Sequence, residues 1–359
     1  MKIRIGFRMV AKKSNKISFK AKVFFAMLAL LVLVLAGTSI NYYLKYFKPN
    51  VTGNKEYLFI PTGSDFKDVY SIISSENMVK DTLSFLNAAQ NMDYPVKVRA
   101  GRYRLTKDMS NRSLINMLKA GNQEPVKISF QNVRLKYTLA GMISKKIETD
   151  SASISKLLDS TAFVQKYGFN TDNVYTMFIP NSYEIYWNST AEKFFIRMHA
   201  EYLKFWNADR KAKAAAIDLS QSEVSILASI VDSEALNDSE MPRIAGLYMN
   251  RLQKGMRLEA DPTVIYAAND FTIRRVLNKH LRINSPYNTY LNRGLPPGPI
   301  TMPSINAIDA VLNFEKHDYI YMCAKEDFSG YHNYATNLME HLRNARKFQE
   351  ALNERNIKK

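Results

Sequence analysis

The chain has 359 residues, 46% of them hydrophobic, enough apolar material for two or three domains. Its formal charge is +17, which suits an anionic partner such as nucleic acid, a membrane surface or an acidic cell-wall polymer. No RNP-type, zinc-finger or helix-turn-helix signature supports nucleic acid, and the lone cysteine, Cys323, excludes an intramolecular disulfide.

The charge is uneven along the chain. Residues 1–22 hold Lys2, Arg4, Arg8, Lys12, Lys13, Lys16, Lys20 and Lys22 with no acid, leaving +9 for the remainder. Residues 23–40, VFFAMLALLVLVLAGTSI, then run for eighteen positions without a charge. As a helix they span roughly 27 Å, close to the thickness of a bilayer's hydrocarbon core. The basic flank predicts a cytoplasmic N-terminus, and Tyr42, Tyr43 and Tyr46 fit the far interface. The length of the basic region and of the apolar run favours an uncleaved single-pass anchor over a cleaved signal peptide. Residues 41–55 read as a short polar stalk on the extracytoplasmic side.

From Glu56 the pattern is a strand (EYLFI), a turn at Pro61-Thr62-Gly63 and helices over Asp65–Glu76 and Thr82–Asn91. A strand near Arg99–Leu105 and a helix over Ser110–Ala120, stopped by Gly121, complete a small α+β module over 56–124. Residues 125–219 form a connecting part. It opens with a strand at Pro125–Gln131, continues mostly helical over Thr138–Asp159, and ends in one long helix, Ala191–Ala215.

Residues 220–359 carry the chemistry. Ser220 and Glu223 make a capping box opening the helix VSILASIVDSEAL. Val224, Leu227, Ile230 and Val231 share one face, and Glu234 falls on it while Asp232 points to the opposite, solvated side. A carboxyl against apolar neighbours loses hydration, so its pKa rises, which suits a general acid. The alternatives are a core Glu paired with an Arg, or a helix end turning into solvent. The next helix, about Ser239–Lys254 with Gly255 as its stop, aligns Ile244, Leu247, Tyr248 and Arg251. Arg251 in an apolar stripe needs a carboxylate or carbonyl partners, so it reads as structural support, and Asn250 as a lesser site candidate. Asp261 reads as a cap of the turn leading into VIYAA, itself strand or helix, and with Glu259 is also a candidate for binding substrate. Tyr287, Asn288 and Tyr290 lie in a Pro-stiffened loop and suit sugar recognition by stacking and hydrogen bonding. The strand YIYMCA and Tyr331–Tyr334 read as a sheet edge beside the cleft, with Cys323 a buried small residue. His199, His280, His317, His332 and His341 show no HExxH or paired spacing, so neither a metal nor another cofactor is expected.

The segments IPTGSDFKDVYSIISSENMVKD, RAGRYRL and SNRSLINMLKAG resemble the LysM-like region of the endolytic murein transglycosylases, the MltG or YceG-like family. ILASIVDSEA, IAGLYMNRLQKGMRLEADPTVIY, SPYNTY, RGLPPGPI and NYATNLMEH are similar to its catalytic part, in the same order. The resemblance implies a C-terminal α+β YceG-like catalytic domain that cleaves the β-1,4 bond between N-acetylmuramic acid and N-acetylglucosamine, leaving a 1,6-anhydro end. It places the catalytic acid/base at Glu234 and makes peptidoglycan strands, with the synthases that extend them, the expected partners. The LysM-like module is then either a glycan binder or a spacer. The family usually has Gln where this chain has Glu259, so a second carboxylate stands there. It is a solvent-facing substitution, an acid that raises the Glu234 pKa, or the water-activating group of a hydrolytic muramidase. A non-catalytic wall-binding scaffold is the reading from another class.

Overall fold

The structure, a computed structural model, describes residues 18–355 and divides into two compact units, Met1–Glu124 and Pro125–Lys359. The tail cations Lys2, Arg4, Arg8, Lys12, Lys13 and Lys16 fall outside the described residues.

In the first unit, helix α1 (Phe19–Tyr46) is capped by Ser18 and has no buried residue. Its mean hydropathy reaches 2.6, making it long and apolar enough to cross a membrane. It is followed by strand β1 (Tyr57–Ile60), helices α2 (Phe66–Ser75) and α3 (Thr82–Asn91), strand β2 (Gly101–Arg104) and helix α4 (Asn111–Ala120). Strands β1 and β2 pair antiparallel, with Tyr57 opposite Arg104. Leu58, Ile60, Val69, Ile73, Phe85, Tyr103 and Leu114 form the core between sheet and helices. Local chemistry sets the ends: Asp65 and Asp68 cap α2 reciprocally, and Gly121 ends α4 at a φ of +72° that disfavours a side chain.

Residues 41–55 are not a free stalk. The helix runs on to Tyr46, and the chain then docks on the module through buried Asn50 and Asn111. Asn50 Nδ2 donates to Asn111 Oδ1 at 2.7 Å and to the Asp81 carbonyl at 2.9 Å, while Asn111 Nδ2 donates to the Lys45 carbonyl at 2.9 Å. Two buried amides with matched partners hold the end of α1 against the module.

The second unit runs β3 (Val126–Phe130), α5 (Lys136–Ser144), α6 (Ser151–Leu158), α7 (Thr161–Val164), β4 (Asn181–Ile185), α8 (Ala191–Phe205) and α9 (Ala208–Ala216). It continues with α10 (Gln221–Glu234), α11 (Met241–Gln253), α12 (Asp261–Ala268), α13 (Ile305–Leu312), β5 (Tyr321–Ala324), β6 (His332–Ala335) and α14 (Leu338–Glu354). Strands β3 and β4 pair antiparallel, as do β5 and β6. The long helix expected over Ala191–Ala215 is two helices. Asn207 caps a new start by accepting from Arg210 N, and buried Trp206 fills the break.

Helix α10 is the centre of this unit. Every residue from Val224 to Val231 is buried, so it is a core helix covered on all sides and not an amphipathic one. Helices α11 and α13 pack against it. Each fully buried aliphatic side chain there contributes about 1.5–3 kcal/mol.

Candidate active site

Glu234 is the last residue of α10, where the buried stretch opens; Ala235 beyond it is extended, with φ −79° and ψ 125°. The residue is half-buried, with its carboxyl packed against the neighbouring helix. From α11, Tyr248 donates its hydroxyl to Glu234 Oε1 at 3.1 Å. Burial first, then the nearby Asp261 charge, raise the Glu234 carboxyl while the Tyr248 hydrogen bond pulls against both, and the balance leaves it at about 7. The same burial and the adjacent carboxylate hold the Tyr248 hydroxyl well above its ordinary pKa, so it stays a donor.

Asp261 begins α12 and reaches this site through a tight turn. Glu259 sits in the left-handed region at φ +54°, and Ala260 N donates to Thr289 Oγ1 at 3.0 Å. Thr263 and Thr289 exchange a hydroxyl bond at 2.8 Å. Buried Thr289 thus clamps the turn to the loop that carries Tyr290, whose hydroxyl donates to Asp261 Oδ1 at 2.6 Å. Arg251, only 5% exposed, braces the other side. It donates to the carbonyls of Ile320, Arg257 and Leu258 and pairs with Glu259 Oε2 at 3.0 Å. These bonds tie strand β5 to the turn.

Across the site, buried Glu240 accepts from the His332 backbone at 2.8 Å and pairs with His332 Nδ1 at 2.9 Å. Glu234, Tyr248, Asp261, Tyr290, Cys323 and His332 line one open cavity of about 250 Å³. A larger cleft of about 700 Å³ lies beside it, bordered by Ser233, Ala235 and Pro262.

Of the residues singled out in the sequence, Glu234, Arg251, Glu259, Asp261 and Tyr290 come together at this cavity. Asn250, Tyr287 and Asn288 do not. Asn250 Nδ2 donates to the carbonyls of His317 and Tyr319, so it anchors the chain before β5. Asn288 is fully buried, with Nδ2 on the carbonyls of Leu281 and Ile283 and Oδ1 on Tyr290 N. Its amide shapes the loop, and Tyr287 packs on Tyr266 with ring centroids 4.7 Å apart. Asp232 is not solvated as expected: it accepts from the backbone and hydroxyl of Ser304, fixing the start of α13. Glu259 does not raise the Glu234 pKa. It is drawn to Arg251, and Asp261 supplies the like charge. VIYAA is helical, and Cys323 is half-buried in the cavity wall.

Two contributors escaped the sequence reading. Tyr248 was visible as a Tyr on an apolar stripe, and a buried hydroxyl of that kind needs a partner. The Glu240–His332 pair joins residues 92 apart and left no local signal.

A family model described as the YceG-like family matches residues 58–347. The endolytic murein transglycosylase of Bacillus subtilis strain 168 is 27% identical over 321 residues, covering 82% of this chain and 85% of that protein. The endolytic murein transglycosylase of Streptococcus pneumoniae strain R6 is 29% identical over 340 residues, covering 85% of this chain. This chain spans 60% of that streptococcal protein's length. A crystal structure of a yceG-like protein from Listeria monocytogenes superposes with a TM-score of 0.53 at 24% identity, covering 80% of this chain and 98% of that one, a likeness of fold.

Proposed function

The chain belongs to the YceG-like family, and from that premise we propose that it is a membrane-anchored lytic transglycosylase that cuts peptidoglycan strands internally. The observation that carries the reading is Glu234: a carboxyl at an open cavity, raised to about 7 and held by a tyrosine hydroxyl. The relatives' name, endolytic murein transglycosylase, supports the same chemistry.

An ordinary glycosidase uses two carboxyl groups, one as acid and the other as nucleophile or base. Here one suffices. Protonated Glu234 gives its proton to the oxygen linking muramic acid C1 to the next sugar, and that bond breaks. The muramyl 6-hydroxyl closes on C1 while the Glu234 carboxylate takes its proton. Glu234 ends as it began, no water is consumed, and the product end is 1,6-anhydro-N-acetylmuramic acid. A pKa near 7 suits both halves of this cycle at neutral pH.

A hydrolytic muramidase needs another carboxylate free to activate water. Glu259 is engaged by Arg251 and Asp261 by the Tyr290 hydroxyl, which favours the lyase. Helix α1 serves as an uncleaved anchor with its N-terminus in the cytoplasm. Its far end is bonded to the LysM-like module, which keeps that module at the outer membrane surface among nascent strands and their synthases. Digestion of purified glycan strands by the detergent-solubilised full chain tests the reading. Anhydro ends are expected by mass spectrometry; reducing ends would make it a muramidase, and intact strands a scaffold.

A further inference from the structure

The 700 Å³ cleft takes no part in the steps above, yet it shares a wall with the Glu234 cavity. Ser233 and Ala235, on either side of Glu234, face the cleft, and so does Pro262, next to Asp261. The wall is one helix end thick.

Arg134 and Arg274 line this cleft. Both are exposed, and among the described residues neither is in an ion pair. The Arg134 guanidinium sits 4.6 Å from the centroid of the Phe271 ring, which places it without using its N–H donors. The cleft's two acids are already committed. Asp232 accepts twice from Ser304, and Asp238 accepts from Asn306 Nδ2 at 2.6 Å. Residues 271–308 contain no Asp or Glu but include Arg274, Arg275, Lys279 and Arg282. Asp232 and Asp238 keep their charge, because their partners are neutral groups, and what distinguishes this side of the cleft is two guanidinium groups outside any ion pair and suited to bidentate carboxylate contacts.

We propose that Arg134 and Arg274 bind the carboxylates of the peptide stem carried by muramic acid, so that the enzyme selects strands whose stems are still attached. The proposal rests on the Glu234 cavity being where the glycan is cut. Each muramyl residue carries its stem through the lactyl group on C3 of the ring whose C1 is attacked, so the stem leaves the sugar close to Glu234. An extended peptide gains roughly 3.3 Å per residue, and a helix is about 10 Å across, so a stem of a few residues crosses the dividing wall. Its carboxylates then meet the two arginines.

The test is a binding measurement on the full chain carrying Glu234→Gln in neutral detergent. Its two ligands are strands with intact stems and strands stripped by an amidase, which keep only the lactyl carboxylate. A preference of about tenfold for intact stems is expected, shrinking with added salt. Arg134→Gln with Arg274→Gln is expected to collapse that preference toward one. Equal affinity of the parent protein for both strands would overturn the proposal. So would a preference that survives the double substitution, or a loss that affects both strands alike. Product analysis of the Glu234-containing protein is run separately: absence of anhydro ends would sink the cleavage reading, while the stem preference is read from binding alone.

Discussion

Tyr248 donates a hydrogen bond to Glu234 across the gap between α10 and α11, and this bond opposes the two influences that raise the Glu234 pKa. Burial and Asp261 favour the protonated acid, while Tyr248 favours the carboxylate. A group that must give a proton and then take one back needs both forms within reach, and these opposed contacts keep it there.

Removing Tyr248's hydroxyl tips that balance. Tyr248→Phe loses a hydrogen bond to a charged group, worth about 1.5–3 kcal/mol, so the Glu234 pKa rises by roughly one unit or more. The alkaline limb of the kcat/KM profile should move upward from about 7, with kcat reduced because the carboxyl is no longer aimed. A limb left where it was would show that the bond does not act on Glu234.

Asp261→Asn works in the opposite direction. The amide keeps an acceptor for Tyr290 but removes the like charge beside Glu234, so the alkaline limb should fall below that of the parent protein. A parallel profile of Glu259→Gln should leave the limb in place, since Glu259 is drawn to Arg251.

Stability carries the same signature. The folded Glu234 pKa of about 7 lies above its ordinary 4.5, so the proton's contribution is complete below 4.5 and is lost as pH rises through 7. Glu234→Gln has no proton to lose. It should match the parent in urea denaturation near pH 4 and exceed it above pH 7 by on the order of 2–3 kcal/mol. A constant difference across pH would contradict the burial of this carboxyl.

Arg251→Ala should be among the most damaging substitutions outside direct chemistry. It strips the donor from the carbonyls of Arg257, Leu258 and Ile320, at a cost of about 1–3 kcal/mol for each one left buried without a partner, while exposed Glu259 is resolvated. Thermal denaturation reads this directly; an unchanged midpoint would mean that β5 and the Leu258–Asp261 turn hold without it.

Local chemistry made much of the architecture legible. The capping box at Ser220 and Glu223, the stop at Gly121 and the apolar run of α1 each follow from residues a few positions apart. Glu234 was legible for the same reason, as a carboxylate in line with Leu227, Ile230 and Val231. What stayed hidden depends on distant partners. Asn288 and Asn250 look like sugar-binding amides until the carbonyls they hold are seen. The like charge beside Glu234 comes from Asp261 and not from Glu259, two residues earlier, because Arg251 draws Glu259 to itself. The stalk became a docked segment because Asn50 meets Asn111, 61 residues away.

The most direct test of Glu234 acting alone, with the muramyl 6-hydroxyl in place of water, is digestion of glycan strands in oxygen-18 water. The new muramyl ends are then weighed by mass spectrometry. The account predicts 1,6-anhydro ends free of the heavy isotope, formed by the parent protein and absent with Glu234→Gln. Reducing ends carrying one oxygen-18 atom, or unlabelled anhydro ends still formed at the parent rate by Glu234→Gln, would contradict it.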